Sequence, residues 1–241
     1  MRPNINKDGF YLRAANKRGL TEMGWLKSRH TFSFGYYHDP LHDHFGVLRV
    51  INDDWIQAKS GFGAHSHRNM EIITYAVQGA LAHRDSLDHE TIIPAGDIQW
   101  MSAGTGITHS EYNAAPTASR FIQIWIEPDQ KGYTPSYQQH AVPAEAKKDQ
   151  WLLIVSPDEG GLLPIRQDVR LYTAFLSPQG TLSFMVKPSR WVWLQVVSGQ
   201  LHVNDFQLEE GDGLAITAPQ LLQFSQAQGA DLLLLDLPAA T

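Results

Sequence analysis

Val77-Gln78-Gly79-Ala80-Leu81, followed by Pro94-Ala95-Gly96-Asp97, returns in the second half of the chain as Val197-Ser198-Gly199-Gln200-Leu201 and Glu209-Glu210-Gly211-Asp212. Each copy sets a glycine turn between apolar runs, which is a short-range signal for paired strands. Around these turns, residues 45–51, 70–77, 81–85, 89–93, 98–101 and 120–126 are short runs rich in Val, Ile, Leu and aromatic residues. A second series follows at 151–155, 171–176, 182–186, 191–197, 201–203, 213–216 and 231–237. Such runs, punctuated by Gly, Pro, Asn and Asp, predict an all-β chain with two similar β-barrels. Between the series lies a polar stretch with three prolines and no apolar periodicity. The expected organisation is therefore a first barrel over 1–132, a linker or crossover over 133–150 and a second barrel over 151–241. The one helical piece expected is a short turn near 144–148.

The 241 residues are 43% hydrophobic and 18% charged, ordinary for a globular protein that buries a core. A formal net charge of -6 gives no broad basic footprint for nucleic acid or an anionic membrane surface. The absence of cysteine excludes disulfides, thiolate nucleophiles and cysteine-ligated metal clusters. The first residues lack a secretory apolar region, and no apolar run approaches the roughly 20 residues of a membrane-spanning helix, so a soluble, cytoplasmic protein is expected.

Two polar clusters interrupt this pattern. His65-Ser66-His67-Arg68-Asn69-Met70-Glu71 puts two imidazoles at i and i+2, on one side of a strand with Cβ atoms about 7 Å apart. His109 and Glu111 repeat that spacing. Four such groups facing one cavity need a shared partner, because an unpaired buried polar group costs roughly 1–3 kcal/mol. A metal ion is the simplest partner. Three imidazoles and a carboxylate leave two positions open on a six-coordinate ion, which suits Fe(II) and admits Mn, Co, Ni or Cu; a four-coordinate Zn would make a closed, inert site. The ion is expected to leave on acidification below the ordinary imidazole value of about 6.5. His42 and His44 follow Asp39-Pro40 and read as loop residues, while His30, His38, His83, His89, His140 and His202 lack metal-type spacing.

These clusters, together with Trp25-Leu26-Lys27-Ser28-Arg29-His30-Thr31-Phe32-Ser33-Phe34, Asp39-Pro40, the run 45–54 and the run 96–111, resemble the paired motifs of cupins and, more narrowly, of the pirin family with its bacterial quercetinase-type members. The second motif has Gly104-Thr105-Gly106 where cupins usually carry Pro-x-Gly, a departure that pirins share. The resemblance implies two jelly-roll cupin barrels, with His65, His67, His109 and Glu111 as metal ligands and the C-terminal barrel metal-free. It also implies that Glu71 is not a ligand, in keeping with a position about 13 Å along the strand from His67. The implied activity is cleavage of flavonols such as quercetin with O₂ and release of carbon monoxide. Glu111 would be the catalytic base as well as a ligand, and Phe62 and Trp100 are candidate walls of a pocket for a small aromatic chelating substrate. Two other readings remain: an iron-binding, redox-sensing regulator acting through a protein partner, and a structural zinc protein.

Overall fold

The computed structural model describes residues 5–240 and is built almost wholly of β-strands. They form two sandwiches of the same design, each a seven-stranded sheet facing a four-stranded one. In the first, the large sheet runs in the order Ser136–Ala141, Asp97–Ser102, Glu71–Gln78, Ser119–Ile126, Leu48–Ile56, Leu26–His30 and Gly19–Glu22. Its small sheet is Gly61–His67, Ile107–Asn113, Ala80–Asp85 and Glu90–Pro94. The second repeats this with Phe10–Arg13, Gly213–Ile216, Arg190–Ser198, Ala230–Pro238, Arg170–Leu176, Leu152–Ser156 and Leu163–Pro164 in the large sheet. Its small sheet is Leu182–Val186, Gln220–Ser225, Gln200–Val203 and Phe206–Glu209. The repeated glycines do the same job in both halves: Gly79 and Gly199 each turn a hairpin at φ 76°, where a side chain would be strained.

Two boundaries differ from the sequence expectation. Strand Phe10–Arg13 crosses over to pair with Gly213–Ile216 of the second barrel. Residues 136–141, expected as linker, form the edge strand of the first barrel against Asp97–Ser102. An edge strand carries a polar, half-exposed face, so Tyr-Gln-Gln-His gives no apolar alternation to read. The expected short turn is a 3₁₀ turn at Ala144–Lys147. No helix among the described residues is long and apolar enough to cross a membrane.

The two large sheets pack against each other through one apolar core that includes Ile51, Ile73, Ile122 and Ile124 from the first barrel and Val155, Leu171, Trp193 and Leu233 from the second. Across that contact, Arg120 grips Asp53 with two hydrogen bonds of 2.9 and 3.0 Å and donates a third, of 2.8 Å, to the carbonyl of Val197. The barrel interiors differ. The second is filled with aliphatic and aromatic side chains such as Val192, Leu194, Leu201, Leu222 and Phe224. Among the described residues the first has two small apolar clusters, one around Leu26, Ile56 and Phe121 and one around Ile72, Met101 and Ile107. Through the strand register, a row of polar side chains crosses it instead: His30 beside Asn52, Asn52 beside Gln123, Gln123 beside Thr74, and Thr74 beside Gln99. A barrel that gives its interior to polar groups is the one equipped for chemistry.

Candidate metal centre

Strands Gly61–His67 and Ile107–Asn113 run antiparallel, with His67 opposite Ile107 and His65 opposite His109. The register then shifts, so that Glu111 faces Phe62. Strict alternation would have put Gly63 opposite Glu111 and turned Phe62 outward. The bulge re-aims Phe62 to the side that carries His65, which is the usual service of a bulge beside a site. His65 Nδ1–H donates to the Gly63 carbonyl at 2.8 Å, leaving its Nε2 lone pair free.

The imidazoles of His65, His67 and His109 form a near-equilateral triangle, with ring centroids 4.8, 4.5 and 4.9 Å apart. Their ligand atoms all lie within 4.8 Å of one another. Burial, with the neighbouring imidazoles adding to it, lowers both His67 and His109 to about 3. Both are therefore neutral at ordinary pH and present lone pairs.

Glu111 is buried, and that burial raises its pKa. Its Oε2 accepts from Gln123 Nε2 at 3.2 Å, and Gln123 is itself oriented by Trp125 Nε1–H at 3.1 Å. Its Oε1 has no hydrogen-bond partner among the described residues. The ligand atoms of Glu111, His109 and His83 again lie within 4.8 Å of each other. His109 thus belongs to both groups, and Glu111 approaches it from the His83 side.

His83 was passed over in the sequence, although His83-Arg84-Asp85 has the same i, i+2 spacing and lies in register with His109 to Glu111. A strand-by-strand search for such pairs would have found it. His83 Nε2–H donates to Asp85 at 3.1 Å, and its Nδ1 faces Nδ1 of His109 at 3.5 Å. The network is satisfied when His109 carries its proton on Nδ1, with Nε2 free. Tyr137 is stacked between the rings of His83 and His89, at 4.7 and 4.9 Å.

The cluster opens into a cavity of about 270 Å³. Met23, Leu26, Phe34, Phe62 and Trp125 supply apolar walls, and Ser28, His30, Asn52, Asp54 and Gln123 line the rest. Trp100 is not among the lining residues. It is buried in the core between the barrels, and its indole N–H donates to Glu71 at 2.9 Å. Glu71 also accepts from Ser102 at 2.5 Å and from the Arg166 backbone at 3.1 Å, so this carboxylate is engaged outside the cluster. His42 sits in a loop, bonded to Asp39 at 2.7 Å and to the Tyr11 hydroxyl, and His44 lies exposed beside Asp43.

The pirin family model matches residues 12–126, and the model for the quercetinase C-terminal cupin domain matches residues 153–237. A quercetin 2,3-dioxygenase of Escherichia coli K12 is 44% identical over 230 residues, covering 95% of this chain and 98% of the relative. A pirin-like protein of Caulobacter vibrioides is 39% identical over 92% of this chain and 96% of its own length. The solved structure of the bacterial pirin YhhW from E. coli in complex with nickel(II) has a TM-score of 0.90 at 42% identity, over 96% of this chain and 100% of that one. With both barrels matched and the relatedness running almost end to end, this chain belongs to the pirin family.

Proposed function

We propose that this protein is a metal-dependent dioxygenase that cleaves flavonols such as quercetin with O₂ and releases carbon monoxide. His65, His67, His109 and Glu111 hold one divalent transition-metal ion, with Fe(II) preferred because imidazole and carboxylate donors suit it. The observation that carries the reading is the buried Oε1 of Glu111, without a hydrogen-bond partner among the described residues, on a carboxylate grouped with His109, the imidazole that also closes the triangle with His65 and His67 beside an aromatic-walled cavity. The spacing fits an ion. Two nitrogens bound at right angles to one metal at about 2.1 Å lie about 3.0 Å apart, and Nε2 of His67 and Nε2 of His109 are 3.0 Å apart. The relatives named quercetin 2,3-dioxygenase and the nickel(II) complex of a relative support the same activity and a divalent ion.

When bound, the ion supplies Lewis acidity toward a substrate that chelates it through a hydroxyl and an adjacent carbonyl. The side chains do the rest. The Glu111 carboxylate accepts the 3-hydroxyl proton. Gln123 holds Oε2 in place. Phe62 and Trp125 flank the flat rings and exclude water from the reacting end. His83 and Asp85 fix the orientation of His109. The open cavity favours an enzyme over a regulator that works through a protein partner.

The test follows quercetin absorbance and carbon monoxide release in metal-loaded protein, with metal content measured for each variant. Glu111→Ala is expected to slow turnover about 10²- to 10⁴-fold, and His65→Ala to lose metal and activity together. Absence of turnover with iron, manganese, cobalt, nickel or copper would overturn the reading.

A further inference from the structure

Asp53 and Asp54 are consecutive on strand Leu48–Ile56 and therefore face opposite sides of the large sheet. Asp53 turns toward the second barrel, where Arg120 and Arg18 bind it. Asp54 turns into the cavity, where it is also buried, at 5% exposure, but no lysine or arginine is among the lining residues. Its carboxyl takes a hydrogen bond from the Ser28 hydroxyl. Burial, with the charges of Asp53 and Glu111 adding to it, raises it to about 7. A buried acid without a cation is unfavourable and calls for a reason.

Other polar groups in the cavity are already engaged. His30 bonds Asn52 at 2.8 Å through Nδ1 and Thr21 at 2.8 Å through Nε2, and the Gln123 amide is held between Glu111 and Trp125. Asp54 is the acid left facing the space. It sits on the large sheet, whereas the metal cluster sits on the small one, and facing sheets in a sandwich are about 10 Å apart. Both Asp54 and the imidazoles His65 and His67 line the same cavity, so a molecule held at the imidazoles shares that space with Asp54.

We infer that Asp54 is a specificity-determining residue that hydrogen-bonds a hydroxyl group on the part of the substrate remote from the chelating pair, so that the pocket selects polyhydroxylated flavonols over those bearing the chelating hydroxyl alone. The inference rests on the flavonol reading of the site and adds the substrate feature that is recognised.

The experiment uses nickel-loaded protein without O₂ and reads binding of quercetin and of 3-hydroxyflavone by quenching of tryptophan fluorescence. Wild type, Asp54→Asn and Asp54→Leu are compared, with metal content and circular dichroism verifying that each variant is folded and loaded. The ratio of quercetin to 3-hydroxyflavone affinity is expected to fall about tenfold or more in Asp54→Leu, the size of one hydrogen bond to a carboxyl group, and by less in Asp54→Asn. Under turnover the same loss should appear in KM for quercetin, with kcat little changed. An unchanged ratio in Asp54→Leu would overturn the role of Asp54 and leave the flavonol reading standing. Failure of both ligands to bind wild-type protein would overturn both.

Discussion

Replacing Asp54 with asparagine should stabilise the metal-free protein, by an amount that grows with pH. The carboxyl is buried, and its pKa moves from 3.8 to about 7, with burial the largest cause and the charges of Asp53 and Glu111 contributing. Between those values the folded chain holds a proton that the unfolded chain has released, so stability declines as pH rises through the window and levels off above it. At roughly 1.4 kcal/mol per pH unit, a shift of about three units is worth on the order of 4 kcal/mol. Against a total stability of about 5–15 kcal/mol that is a large penalty. Asparagine keeps the shape and removes the ionisation. The assay is urea unfolding of chelator-treated wild type and Asp54→Asn at pH 5, 6, 7 and 8. The variant should match the wild type near pH 5 to within about 1 to 2 kcal/mol and exceed it by roughly 2–4 kcal/mol at pH 8. A difference that stays flat with pH, or a variant less stable at pH 8, would refute the argument that this acid is buried without compensation.

Other outcomes test the surrounding geometry. His83→Phe and Asp85→Asn should each weaken metal binding about 10- to 100-fold in competition with a chelator, because they release His109 from its fixed orientation; unchanged affinity in both would show that His109 needs no such support. The sequence expectation that the ion leaves below about pH 6.5 is corrected by burial, which lowers His67 and His109 to about 3, so metal should survive dialysis at pH 5.5; loss of half the metal at pH 6 would contradict this. Arg120→Ala leaves Asp53 with Arg18 alone, at 3.4 Å, and frees the Val197 carbonyl, and should cost about 1–3 kcal/mol in urea unfolding; no measurable loss would mean that Arg18 and water take over there.

The duplicated barrels were legible because the glycine turns recur in wording, and the imidazole triangle because i, i+2 spacing on a strand is a geometric statement. Other features depend on partners far away in sequence. The strand expected to stop at Ile51 continues to Ile56, because the turn-like Asn52-Asp53-Asp54 finds buried partners on neighbouring strands. Phe62 faces the cavity only through a bulge that its own sequence does not announce. Trp100, a candidate pocket wall with core packing as the alternative, packs in the core, because an aromatic beside a polar motif looks the same whether its indole serves a ligand or, as here, the buried Glu71. Asp54 could not be told from Asp53 until the sheet assigned each a side.

Strand Phe10–Arg13 closes the edge of a barrel whose other strands come from residues 152–238. On the ribosome this early segment must wait, unpaired, until Ile216 has emerged, so the second barrel completes only after nearly all of the chain has been made. The first barrel has no such dependence and can assemble earlier. Cutting the chain at the junction between the barrels would leave the edge Gly213–Ile216 bare on one fragment and a stray strand on the other. The two barrels are thus a single inheritance: neither half can be exchanged for a homologous one without carrying the first strand along with the last.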